Sequence, residues 1–113
     1  MEREVKNIRT LSESIQAEHE HVVVASVNDH HVKLAVNEVD YPWHNHPNAD
    51  EFFLVTEGEL TIEFEDAERV TLRVNDSVVI PAGVVHRTRP VGRAVNLLVE
   101  PKNTATEFRD PDI

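Results

Sequence analysis

Apolar and polar positions alternate along most of this chain. Leu60, Ile62 and Phe64 are interleaved with Glu59, Thr61, Glu63 and Glu65, which puts one set on each face of a strand. The same period of two runs through Arg69 to Val74, where Val70, Leu72 and Val74 point inward, and through Ser77 to Ile80, Val84 to Arg89 and Ala94 to Glu100. It also runs through His30 to Val39, with Val32, Leu34 and Val36 on the interior side and Lys33 on the other. Turn signals punctuate these runs: Asn28-Asp29 after Val22 to Val27, Gly58 after Glu51 to Glu57, Asp66-Ala67 and Asn75-Asp76. A positive-φ turn is expected at Gly58. Asn7 to Ala17 follows a helical period instead. There Val5, Ile8, Leu11 and Ile15 recur at three- and four-residue steps and predict a short helix across one end of the sheet structure. Many short strands with closely spaced turns predict an all-β sandwich or barrel with that single helix.

Three segments break the alternation by being apolar on both faces: Val22-Val23-Val24, Phe52 to Val55 and Val78-Val79-Ile80. Strands covered on both sides lose alternation. Glu51, Phe53 and Val55 share one face, leaving Phe52 and Leu54 on the other for a cover. The helix and a second copy of the chain are the candidates, and a homodimer is expected.

At 113 residues the chain makes one domain. The expected division is a helix and lead-in over 1–20, a barrel over 21–101 and a polar, loosely ordered tail over 102–113. There is no cysteine, so a metal site must be built from His and carboxylates. Twenty-one acids against eleven bases give a net charge of −10, which opposes binding to nucleic acid or to an anionic membrane. The start, Met1-Glu2-Arg3-Glu4-Val5-Lys6, has no apolar leader, and a cytoplasmic location is expected.

Candidate chemistry gathers in His44-Asn45-His46-Pro47-Asn48-Ala49-Asp50-Glu51. On a strand, His44 and His46 share a face, and the four residues after them form a corner that brings Glu51 beside both imidazoles. Pro81-Ala82-Gly83 turns the chain into a further strand carrying His86. Three neutral imidazoles and a carboxylate suit one divalent transition metal: Fe, Mn, Co, Ni or Zn. Affinity should fall below about pH 6 as the imidazoles protonate.

His-x-His, four residues, Glu, six residues, Gly, then Pro-x-Gly-x-x-His resembles the two signature motifs of the cupin superfamily. His44, His46 and Glu51 match the ligands of the first motif, and His86 matches that of the second. The motifs' leading glycines would fall at Glu38 and Asn75 and the trailing Asn at Pro90, so the turn positions have drifted while all four ligand positions match. The match spans roughly residues 32 to 99. It is similar to the small single-domain cupins, the cupin-2 conserved-barrel group loosely labelled mannose-6-phosphate-isomerase-like. The resemblance implies a double-stranded β-helix, or jelly-roll barrel, around the metal. It allows a dioxygenase- or isomerase-type reaction in which Glu51 tunes the metal or acts as base.

The other side chains have quieter expected roles. His19, His21, His30 and His31 read as solvated surface residues, Trp43 and Tyr41 as pointing away from the metal, and Phe53 as a pocket wall. Val84 and Thr88 are placed in the interior. Arg87, Arg89 and Arg93 read as surface charges. The pocket that follows is apolar, with no inward cation, which disfavours a sugar-phosphate substrate. Three functions fit: a metal-dependent enzyme on a small non-phosphorylated metabolite, a non-catalytic module that binds or senses a small molecule, and a structural or interaction protein with a vestigial site.

Overall fold

A computed structural model describes residues 3–110. Alternating side chains make these segments strands, and hydrogen bonding between them is antiparallel throughout. In chain order the elements are α1 (Ile8–Ser14), β1 (His19–Val27), β2 (His30–Asn37), β3 (His44–Asn45), β4 (Glu51–Phe64), β5 (Val70–Leu72), β6 (Ser77–Ile80), β7 (His86–Pro101) and β8 (Glu107–Phe108). One path of neighbours runs β1-β2-β7-β3-β8, and β4 joins it by pairing β7 while also pairing β5 and β6. This is the double-stranded β-helix arrangement that the cupin resemblance implies.

The long β4–β7 ladder, from Phe52 opposite Val99 to Phe64 opposite His86, is the spine of the barrel. Each of these strands was expected as two pieces. Gly58 does not reverse the chain; β4 continues through it, and the register shifts on both sides of Glu57 mark a bulge. A bulge uses the same positive φ that a turn needs, here +72°, but bends the strand without ending it. Glycine is required there, since a Cβ would sit 2.2 Å from the Arg93 carbonyl oxygen. Asn75, at the drifted glycine position, takes φ +74°, a conformation that asparagine tolerates better than most residues.

Two apolar layers result. Phe53, Val55, Leu60, Ile62, Leu72, Ile80, Ala35, Ala94 and Leu98 fill the barrel, with Phe64, Val70, Val78 and Val84 packed against them. Ile15, Val24, Leu34, Val36 and Val95 form a second layer outside it, with Ile8, Leu11, Val22 and Leu97. The expected facing of β2 is therefore inverted: Leu34 and Val36 lie under the helix, and Lys33, Ala35 and Asn37 face the cavity. The more apolar set of this strand goes to the drier layer, because the interior at this point is a polar pocket.

The helix is shorter than its periodicity suggests. Asn7 caps it by accepting from the Thr10 amide at 2.9 Å, and the backbone returns to extended geometry at Ile15. Arg93 holds its last turn by donating to the carbonyls of Ser12 and Ile15 and to Glu38, while the buried Ser12 hydroxyl donates to Glu57. The helix covers Val22 and Val24 but leaves Phe52 and Val79 partly exposed on the outer face, 36% and 55% respectively. No helix among the described residues is long and apolar enough to cross a membrane.

Candidate metal centre

His44 on β3, His46 just after it and His86 at the start of β7 are buried, and one ring nitrogen from each lies within 4.8 Å of the other two. Cross-strand pairing of His44 with His86 brings the two sequence motifs together. The Pro81-Ala82-Gly83 turn docks beneath, with the Gly83 amide donating to the His46 carbonyl at 2.9 Å.

The orientation of each ring is fixed by a backbone carbonyl. His44 Nδ1 lies 2.8 Å from the Pro42 oxygen, His46 Nδ1 3.1 Å from that of Ala105, and His86 Nδ1 2.9 Å from that of Val84. A carbonyl only accepts, so each Nδ1 carries the proton and each Nε2 offers a lone pair. His46 Nε2, His86 Nε2 and Glu51 Oε1 are buried with no hydrogen-bond partner. Glu51 Oε1 lies 3.3 Å from His46 Nε2 and 3.8 Å from His86 Nε2. Lone pairs facing one another at that separation need a positive centre between them, a proton or a metal ion. The donor set and its carbonyl supports fit a divalent transition metal.

The electrostatics agree. Desolvation lowers the pKa of His44 and pushes that of the fully buried His86 down to about 4, so both rings are neutral, as ligands must be. Burial also works against charge on His46, but the neighbouring Glu51 carboxylate outweighs it and raises its pKa. Glu51 is itself raised by desolvation, with His46 opposing and Glu100 adding to the rise. Glu100 is buried too, yet the hydrogen bond from Lys33 holds its pKa below the usual range.

The cavity beside this cluster, about 160 Å³, is polar, against the apolar pocket expected. Phe53 and Thr88 line it as expected, but so do Lys33, Asn37, Asn96 and Glu100. Asn37 is satisfied by donating to Asn96 Oδ1 at 2.9 Å and to the Ala94 carbonyl at 3.1 Å. Lys33 donates to Glu100 at 2.7 Å, so an inward cation does exist. His19 and His21, expected on the surface, stand at the cavity with Tyr41, whose ring stacks on His19 at 4.8 Å and meets the His44 ring edge-on at 4.9 Å. Desolvation, with His19 and Lys33 nearby, pushes His21 down to about 4.

Other expectations stand. Trp43 lies away from the cavity, under the Arg87 guanidinium at 4.7 Å; Arg87 pairs with Glu63 and Arg89 with Asp40. His30 pairs with Asp29 outside the site. The tail, by contrast, is built into the centre. Asn48 bridges the Asn103 carbonyl and the Ala105 amide, and β8 pairs with β3, so the Ala105 carbonyl and the Thr106 hydroxyl both reach His46 Nδ1. No periodicity marks that segment, and the polar Asn48-Asn103 clasp had no signal in the sequence.

Comparison with known proteins matches this architecture. Residues 30–99 fit the family model described as Cupin domain. The uncharacterised protein YdbB of Bacillus subtilis is 46% identical over 102 residues, covering 90% of each chain. A cupin-2 domain protein from Shewanella frigidimarina superposes with a TM-score of 0.82 at 33% identity, over 87% of this chain and 95% of that one. Hydroquinone 1,2-dioxygenase PnpCD, in complex with Cd2+ and 4-hydroxybenzonitrile, shares the fold at a TM-score of 0.73 and 24% identity, over 86% of this chain and 72% of that one. The two motifs, the jelly-roll topology and these matches place the chain in the cupin family.

Proposed function

We propose that this protein is a metal-dependent enzyme that acts on a small, non-phosphorylated metabolite, with one divalent transition metal held by His44, His46, His86 and Glu51. The observation that carries the reading is the convergence of buried, unpartnered lone pairs from His46, His86 and Glu51 beside His44, each ring aimed by a carbonyl behind it. Glu51 is assigned two roles, ligand and proton acceptor, because it is the acid in direct contact with the imidazoles and it opens onto the cavity. The metal supplies Lewis-acid or oxygen-activating chemistry; the chain supplies orientation and a small cavity. The shared fold of a dioxygenase in complex with Cd2+ supports an oxidative reaction. A phosphorylated sugar fits poorly: the cavity is small, and Lys33, its one lysine or arginine among the described residues, brings a single positive charge, shared with Glu100, to a phosphate dianion.

The test is metal quantification on protein purified without a His tag, then an oxygen-consumption screen with and without that metal. One metal per chain is expected; protein that takes up none on reloading overturns the reading.

A homodimer is part of this proposal. Val79, Phe52, Val99 and Val32 lie in one row across four paired strands of the outer face, beyond the reach of α1, and support pairing with a second copy. Light scattering at micromolar concentration should give twice the 12.9 kDa chain mass, and a monomer rejects it.

A further inference from the structure

The Lys33–Glu100 pair has the position and the spare donors to select a ligand. Both residues line the cavity, with side chains 24% and 9% exposed, and the Nζ–Oε1 distance is 2.7 Å. An ammonium has three N–H donors. Lys33 spends one on Glu100, and among the described residues no second acceptor for it is seen. Glu100 in turn neighbours Glu51, which lies 3.3 Å from His46 Nε2, so the ammonium stands two carboxylates away from the imidazole cluster. The histidine set lines the same cavity, so a molecule bound beside a metal shares that small space with Lys33.

Charge sharpens the assignment, and here the inference rests on the metal reading above. A divalent ion favours the ionised form of both carboxylates. The ion and Lys33 against Glu51 and Glu100 then leave one positive charge over in the cavity. A ligand bearing a single negative charge neutralises it; a neutral ligand leaves it standing, and a phosphate dianion reverses it. We infer that Lys33 is a specificity-determining residue that donates to an anionic oxygen of the substrate, a small monocarboxylate, while Glu100 positions the lysine. The carboxylate need not be the group that meets the metal, since a hydroxyl or carbonyl oxygen can do that.

The experiment uses the intact protein loaded with Co(II), whose visible spectrum reports ligands entering the cavity. It is titrated with lactate and with its neutral analogue lactamide, for wild type, Lys33→Met and the double variant Lys33→Met with Glu100→Gln. Wild type is expected to bind lactate at least tenfold more tightly than lactamide. Lys33→Met should lose that preference while keeping the Co(II) stoichiometry. The double variant removes the ion pair without leaving a charge unpaired; it should stay as weak for lactate as the single variant. Lactate affinity within twofold of wild type in either variant, with cobalt still bound, overturns the inference and leaves the metal reading intact. Failure of wild type to take up Co(II) overturns the metal reading, and the charge argument falls with it.

Discussion

The two apolar layers share a strand and have opposite duties. From β2, Leu34 and Val36 enter the layer under α1, while Lys33, Ala35 and Asn37 face the cavity. The outer layer is built of apolar side chains, among them Leu34, Val36 and Val95 at 0% exposure. The inner face carries apolar side chains in one part of the barrel and His44, His46, Glu51, His86 and Glu100 in another. Buried polar groups without partners are destabilising, so the centre is a cost in stability that the surrounding layers offset. Stability and chemistry are thus divided by strand face, and substitutions on the two faces should separate them.

The largest expected effect is at the centre. His46→Ala removes one of the imidazoles and leaves both layers untouched. Metal affinity should fall about a hundredfold or more, read as loss of stoichiometric metal after dialysis, while β-type circular dichroism persists. Unfolding of the variant would show that the centre is structural and would erase the division of duties.

Leu34→Ala is the converse. The side chain is fully buried in the outer layer, and truncation leaves a cavity there. A loss of about 2–5 kcal/mol in urea-unfolding free energy is expected, with metal stoichiometry of the folded protein unchanged. Metal loss in the folded variant would mean that the layers are mechanically coupled through β2.

Truncation after Thr104 probes the junction between the layers and the site. It removes the Ala105 carbonyl and the Thr106 hydroxyl behind His46 Nδ1, together with β8. Losing a group that orients a ligand typically costs about 10–100-fold in metal affinity. That loss should show in a competition titration against a chelator of known affinity, with urea unfolding of the metal-free protein changed far less than by Leu34→Ala. Unchanged metal affinity would show that His46 is oriented without the tail.

These contrasts follow what the sequence could and could not disclose. Parity along a strand is local information, so the convergence of His44 and His46, and the facing of Glu51 with Phe53, were legible. The pairing of His86 with this set was legible through the second motif. Which face of β2 is interior was not, because Leu34 and Val36 are equally good in either layer; only the three-dimensional position of α1 decides it. The same ambiguity hid Lys33 and, with it, the polar character of the cavity. His19, His21 and Tyr41 reach the site across strands far apart in sequence, and the tail acts through backbone carbonyls, which leave no trace in residue identity. Gly58 signalled a positive φ but could not distinguish a bulge from a turn, since both ask the same of the residue.

The smallest expected effect lies at the helix. Asn7 caps α1 through its side-chain oxygen and the Thr10 amide, and without it one of the helix's unpaired amides loses its partner. The helix has only seven residues and cannot hold itself together; Arg93, Ser12 and the apolar layer retain it. Asn7→Ala should therefore cost about 1 kcal/mol of global stability, visible as a small shift of the urea midpoint at constant slope. Because Arg93 and Glu57 flank the bulge at Gly58, the helix is anchored at the middle of the β4–β7 ladder, seven residues along β7 from His86 at its end. Metal affinity should be unchanged within twofold. A drop comparable to that of the tail truncation would show that the helix reaches the centre, and the separation of layers would have to be redrawn along β4 and β7.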